Sequence, residues 1–148
     1  MTEQVIAKKR RRVRFTLIDG SEVEGDVFLW LYEVRHFGPQ KVGELLNGES
    51  GFIPVATVQG LVHLNVVNIV TVRATAEEEW DDLDRLGKNY TVRIRTRIGE
   101  ISGEMFVNLP AENSRVSDCL SQADRFLRIF CGDEIIYIGT RFVLSVQD

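Results

Sequence analysis

One stretch of this chain is written twice. Val42–Val72 lies on Val116–Val146 without a gap, at a constant offset of 74 residues. Leu46 then falls on Leu120, Phe52 on Phe126, Val55 on Ile129, Leu64 on Ile138 and Ile69 on Val143. An upstream segment repeats at an offset of 78, with Val23 on Ile101, Gly25 on Gly103 and Val27 on Met105. One residue is lost at the preceding turn, where Gly20 meets Gly99. The matched positions are chiefly core-type residues and turn glycines, which are the positions that common packing retains. Any fold open to the first copy must therefore be open to the second.

The pattern inside each copy is that of short strands. Val13, Phe15 and Leu17 alternate with Arg12, Arg14 and Thr16, the period of two expected of a half-buried strand. Asp19-Gly20 supplies a tight turn. The return strand, from about Glu22, places Val23, Gly25, Val27 and Leu29 on one face. A glycine on that apolar face lets the strand bend or another backbone approach. Lys41–Asn47 reads as a helical turn burying Leu45 and Leu46, and strands follow at Phe52–Val58, Leu61–Leu64 and Ile69–Val72. Asn65–Asn68 and its counterpart Gly139–Phe142 form the turn before the last strand. Each unit thus has five strands. Between the units, Thr75–Asn89 carries the capping-box pair Thr75 and Glu78, an acidic first turn, an apolar stripe of Trp80 and Leu83, and a Gly87 stop. It predicts a short amphipathic helix whose acids face solvent.

Two such units resemble the Sm-like family. Leu17-Ile18-Asp19-Gly20-Ser21-Glu22-Val23-Glu24-Gly25-Asp26-Val27 resembles the first Sm motif, an Asp-Gly turn followed by hydrophobic, glycine and hydrophobic residues at alternate places. Asn68–Val72 resembles the end of the second motif. Sm-like folds also occur in tandem in bacterial proteins, and this chain is similar to those. The resemblance implies an all-β fold of two tandem five-stranded Sm-like small barrels joined by the short helix. Its parts are a basic flexible arm over 1–11, a first barrel over 12–74, the linker helix over 75–89 and a second barrel over 90–148. The family's RNA-base pocket does not carry over. Trp30-Leu31-Tyr32-Glu33 stands where Asp-x-hydrophobic-Asn is required, and Val66-Val67 where Arg-Gly is required. Gly139-Thr140-Arg141 has suitable residue types in another order.

Composition narrows the function classes. Hydrophobic content of 44% beside 27% charged residues is that of a globular protein. No apolar run is long enough to span a membrane, and no signal peptide is evident, so a cytoplasmic protein without membrane contact is expected. Cys119 and Cys131 lack CxxC spacing and suit reduced, structural thiols. His36 and His63, the only histidines, have no companions at metal-ligand spacing. No nucleophile, base or carboxylate pair stands in a recognisable catalytic pattern. Neither enzyme chemistry, nor a cofactor, nor a metal is expected.

Two unrepeated segments remain as candidate sites. Lys8, Lys9, Arg10, Arg11 and Arg12 form an unbroken basic run in a chain of net charge −4, which leaves −9 for the remainder. Such a run could hold RNA phosphates by releasing counterions. Trp30, Tyr32, His36 and Phe37 concentrate aromatic surface where the second unit is polar, and suit a protein partner or another copy of the chain. The expected function is a non-enzymatic scaffold or binding module acting through protein contacts or self-association, with RNA binding through the basic arm as the alternative.

Overall fold

A computed structural model describes residues 8–30, 40–80, 86–109 and 114–148. The first half contains β1 (Lys8–Leu17), β2 (Glu22–Trp30), the short helix α1 (Val42–Leu46), β3 (Phe52–Thr57), β4 (Gly60–Asn65) and β5 (Ile69–Thr75). The second repeats this order as β6 (Lys88–Thr96), β7 (Gly99–Val107), α2 (Val116–Ser121), β8 (Phe126–Cys131), β9 (Glu134–Gly139) and β10 (Val143–Gln147). Single 3-10 turns, Val66–Asn68 and Thr140–Phe142, precede the last strand of each half. The fold is all-β, and the strands form one ten-stranded antiparallel sheet ordered β10-β6-β7-β8-β9-β5-β1-β2-β3-β4.

The duplication extends to hydrogen-bond register. Thr71, Val72 and Arg73 of β5 stand opposite Thr16, Phe15 and Arg14 of β1. Ser145, Val146 and Gln147 of β10 stand opposite Arg95, Ile94 and Arg93 of β6, and the same irregularity interrupts both ladders. Because β1 and β6 each bury alternate side chains, a slip of one residue would expose the core set, and so the shared pattern fixes a shared register.

Gly25 and Gly103 show why glycine recurs on the apolar face. A Cβ at Gly25 would run into the Ala56 carbonyl and lie 2.8 Å from Val55 Cγ1. At Gly103 it would lie 2.8 Å from the Phe130 carbonyl oxygen. Both are places where the second strand of a half passes close against the third.

Two features depart from the sequence reading. The basic run is not a flexible arm at Lys8–Arg11, because β1 begins at Lys8 and pairs Lys8–Arg11 with Trp30–Val27 of β2. The described part of 75–89 is not an α-helix. Ala76–Glu78 is one 3-10 turn, Thr75 makes no side-chain cap, and β6 has begun by Lys88. Local capping signals lose there to tertiary partners, since Ala76 N donates to the Asp133 carbonyl at 2.8 Å.

The halves meet through β5 and β9. Thr71, Val72, Arg73 and Ala74 face Ile138, Tyr137, Ile136 and Ile135 across this joint. One core cluster crosses it, combining Val13, Phe15, Leu29, Ile69 and Val72 with Phe126, Phe130, Ile135 and Tyr137. The other lies within the second half, around Val92, Ile94, Met105, Ile129 and Ile138. Trp80, from the connecting segment, stacks on Phe130 at 4.3 Å and meets Phe106 edge-on at 5.0 Å, so the connection is packed into the joint.

Candidate interaction edges

The basic run is distributed by strand alternation. Arg11 is in phase with Val13 and Phe15 and is buried with them, while Lys8, Lys9, Arg10 and Arg12 are exposed. Arg10 pairs with Asp26 at 3.2 Å and Arg12 with Glu24 at 3.4 Å, both across the β1–β2 ladder. Lys8 Nζ lies 4.6 Å above the Trp30 ring. The run is therefore largely matched by acids and an aromatic face within its own hairpin. Exposed ion pairs of this kind contribute little to stability, about 0–1 kcal/mol, but they reduce the positive potential offered to a phosphate chain.

Arg11 does something else. Its Nη1 donates to Glu79 Oε2 at 2.6 Å and lies 3.3 Å from the Glu78 carbonyl oxygen. Its Nε is 2.9 Å from Glu78 Oε2, close enough for charge attraction but without the N–H alignment of a hydrogen bond. Glu79 is fully buried. Besides Arg11 it accepts from Val42 N at 3.1 Å, Gly43 N at 3.1 Å and the Tyr137 hydroxyl at 2.5 Å. Burial, followed by the neighbouring Glu79 charge and that hydrogen bond, pushes the Tyr137 hydroxyl far above the usual phenol range. Four donors from β1, α1 and β9 thus converge on one carboxylate. This satisfies a buried charge and ties the two halves together. The arrangement is a structural lock, since each carboxylate oxygen is already taken by two donors.

Glu79, expected on a solvated acidic face, and Arg11, expected in a polyanion site, are instead buried against one another. The alternation from Val13 carried a signal for Arg11, and Tyr137 stands out as the one polar-tipped side chain within Ile135–Ile138. Nothing local marks Glu79, whose partner Arg11 is 68 residues away.

Trp30 ends β2, half-buried, and is tied to Gln40 by two hydrogen bonds. Its N–H donates to Gln40 Oε1 at 3.2 Å, and Gln40 N–H donates to the Trp30 carbonyl at 2.8 Å. Tyr32, His36 and Phe37 lie outside the described residues, so the proposed aromatic patch is represented by Trp30 alone. Both cysteines are free, and burial raises the Cys119 thiol above its ordinary value. Among the described residues no three His, Cys, Asp or Glu side chains gather as metal ligands, and no helix is long and apolar enough to cross a membrane.

The open surface is at the ends of the sheet. Among the described residues β4 and β10 each have one strand neighbour, so each presents a row of backbone groups that no described strand pairs. Large apolar side chains accompany them: Leu61 on β4 is 56% exposed, Phe52 on the adjoining β3 57% and Leu144 on β10 58%. The short strand lengths limit, without removing, the tendency of such edges to recruit another strand.

No family model matches the chain, and the comparisons with curated proteins and with solved structures likewise return no match.

Proposed function

We propose that the protein is a non-enzymatic cytosolic binding or scaffold module, built from two Sm-like units, that joins a protein partner by strand addition. The observation that carries this reading is the pair of open sheet edges, β4 and β10, with Leu61, Phe52 and Leu144 exposed beside them. An added strand would satisfy the free backbone groups, while alternate side chains would find apolar contacts. The Sm-like reading is supported by five strands per half, by the order in which the last strand lies beside the first, and by the one-turn connection before it. The Trp30–Phe37 surface is a second contact region under this proposal. RNA binding through Lys8–Arg12 has weaker support, because Arg11 is buried and Arg10 and Arg12 face acids.

The test is co-purification from the protein's own cells at moderate salt, comparing the wild-type chain with the Leu61→Lys/Leu144→Lys variant. Both side chains are exposed, so the variant should fold. Loss of a stoichiometric protein partner, or of self-association, is the expected result. An unchanged protein profile would remove the edges from the proposal. Nucleic acid retained by wild type but lost from a Lys9→Glu/Arg12→Ser variant, with steep salt dependence, would support the rival reading instead.

A further inference from the structure

A site is marked where the second half keeps part of an arrangement that the first half completes. In the first half, Arg10 Cζ lies 5.6 Å from the centroid of the Phe28 ring, and Arg10 pairs with Asp26 at 3.2 Å. An acid and a ring at alternate places on β2 thus hold one guanidinium. The second half keeps the acid and the ring, since Asp26 falls on Glu104 and Phe28 on Phe106 at the offset of 78. It does not keep the cation. Arg10 stands opposite Phe28 and Arg12 opposite Asp26, whereas Asn89 stands opposite Phe106 and Thr91 opposite Glu104. We infer that Glu104, Phe106, Trp80 and Phe130 form a binding site for a guanidinium group brought by another molecule. This site goes beyond strand addition and does not use the sheet edges.

Aromatic surface is added at the place from which the cation is missing. Phe130 of β8 stands opposite Glu104 just as Ala56 of β3 stands opposite Asp26, so a methyl group in the first half becomes a ring in the second. Trp80, in the segment that occurs once, has no counterpart. It stacks on Phe130 at 4.3 Å, and both rings meet Phe106 edge-on, at 5.0 Å and 5.3 Å. The four residues line an open cleft of about 450 Å3. Trp80 and Phe106 are half-buried and Glu104 is exposed, so rings and carboxylate border the same open space.

The chemistry of this cleft selects a cation. Ring faces attract positive charge through their quadrupole, tryptophan most strongly, and a carboxylate beside them adds a charge-assisted hydrogen bond. A planar guanidinium suits the place better than a compact ammonium, because it stacks on a ring and keeps donors at its edge for the acid. Among the described residues Glu104 has no ion-pair partner, and Arg93 on the adjoining β6 pairs with Glu100 at 3.0 Å instead. The described cations near the rings are engaged elsewhere. Lys41 Nζ donates to the Trp80 carbonyl at 2.9 Å. Arg128 lies 5.8 Å from the Phe130 ring, but it lines the neighbouring cleft with Asn47 and Leu127. The acid is therefore left for a cation from outside, and an arginine side chain and a free guanidinium compound offer the same group.

The probes are a capped peptide with one arginine flanked by glycines, the same peptide with neutral citrulline in its place, and N-acetylarginine amide. Each is titrated into the full-length protein, with calorimetry for affinity and the Trp80 indole N–H signal in NMR for location. The expected result is saturable binding of both arginine compounds and none of the citrulline peptide. Tighter binding of the peptide than of the amide would support the site with a side chain as the source, and equal binding would support it with a free compound. Glu104→Gln should weaken binding by roughly 10-fold, as for loss of a charge-assisted hydrogen bond. Asn89→Arg restores the internal cation of the first half and should abolish binding of the added probes. Both positions are exposed, and an unchanged thermal melt shows that each variant folds. No saturable response to arginine, equal binding of citrulline, or Asn89→Arg binding as wild type does would each overturn the inference.

Discussion

Replacing Glu79 with glutamine removes one charge and leaves the side chain almost unchanged in shape. The buried site makes that small change costly. Oε2 accepts from Arg11 Nη1 and Val42 N, and Oε1 accepts from Gly43 N and the Tyr137 hydroxyl. An amide has one oxygen, so in either orientation its NH2 faces two donors. Each buried donor left without an acceptor costs about 1–3 kcal/mol, and Arg11 in addition loses the charge that justified its burial. Breaking a buried ion pair by removing one partner typically costs about 3–5 kcal/mol, and Glu79→Gln should fall in that range. With a urea m-value of about 2 kcal/mol/M for a chain of this size, the unfolding midpoint should drop by roughly 1.5–2.5 M. Arg11→Met should cost a similar amount alone. The Arg11→Met/Glu79→Leu double variant should be much less destabilised than the sum of the corresponding singles, because no buried charge remains. A loss below about 1 kcal/mol for Glu79→Gln, or strict additivity in the cycle, would refute the account of Glu79 as the lock between the halves.

Tyr137 gives a pH signature of the same site. Its hydroxyl is protonated in the fold at pH values where an unfolded phenol, with a value of about 10, ionises. The unfolded state therefore binds fewer protons above that pH, and stability should fall as pH rises beyond about 10; unfolding curves of Tyr137→Phe should fall less steeply. Gly25→Ala and Gly103→Ala should each destabilise by roughly 1–3 kcal/mol, through overpacking against Ala56 and Phe130. Gly51→Ala, with nothing within 4 Å of its Cβ, is the control for thermal melts and should be close to neutral. Arg12→Ser should change stability by less than about 1 kcal/mol, with the difference disappearing in molar salt, since Arg12–Glu24 is an exposed pair.

Much of the fold was legible because it was stated twice. The helical turn at Lys41–Asn47 is a weak local signal, but it gains weight from Val116–Ser121 and corresponds to α1 and α2. The glycine on the apolar face became interpretable when Gly25 and Gly103 matched. What repetition could not convey was the connecting segment, which occurs once. There Thr75, Glu78 and Gly87 spell a helix in local terms, while Arg11, Asp133 and Tyr137 draw the described backbone into the joint. Propensity is a small energy per residue, and a buried carboxylate with four donors outweighs it. The basic run failed for a related reason. As composition it suggests a polyanion site, whereas the period of two that defines β1 sends Arg11 inward and sets its neighbours opposite Asp26 and Glu24. Open strand edges are expected of such a fold, but the sequence does not say which strands lack a second neighbour, and β4 and β10 emerge only from the strand order.

The β5–β9 joint has a consequence for counting. Two units that in separate chains would meet at a rate set by concentration are here held by a short connection, so their pairing is intramolecular and insensitive to dilution. The unit of supply is consequently a pair. Any larger body assembled from this chain contains an even number of units, each pair held by the β5–β9 joint. Such a body would come apart into pairs on dilution, and never into single units.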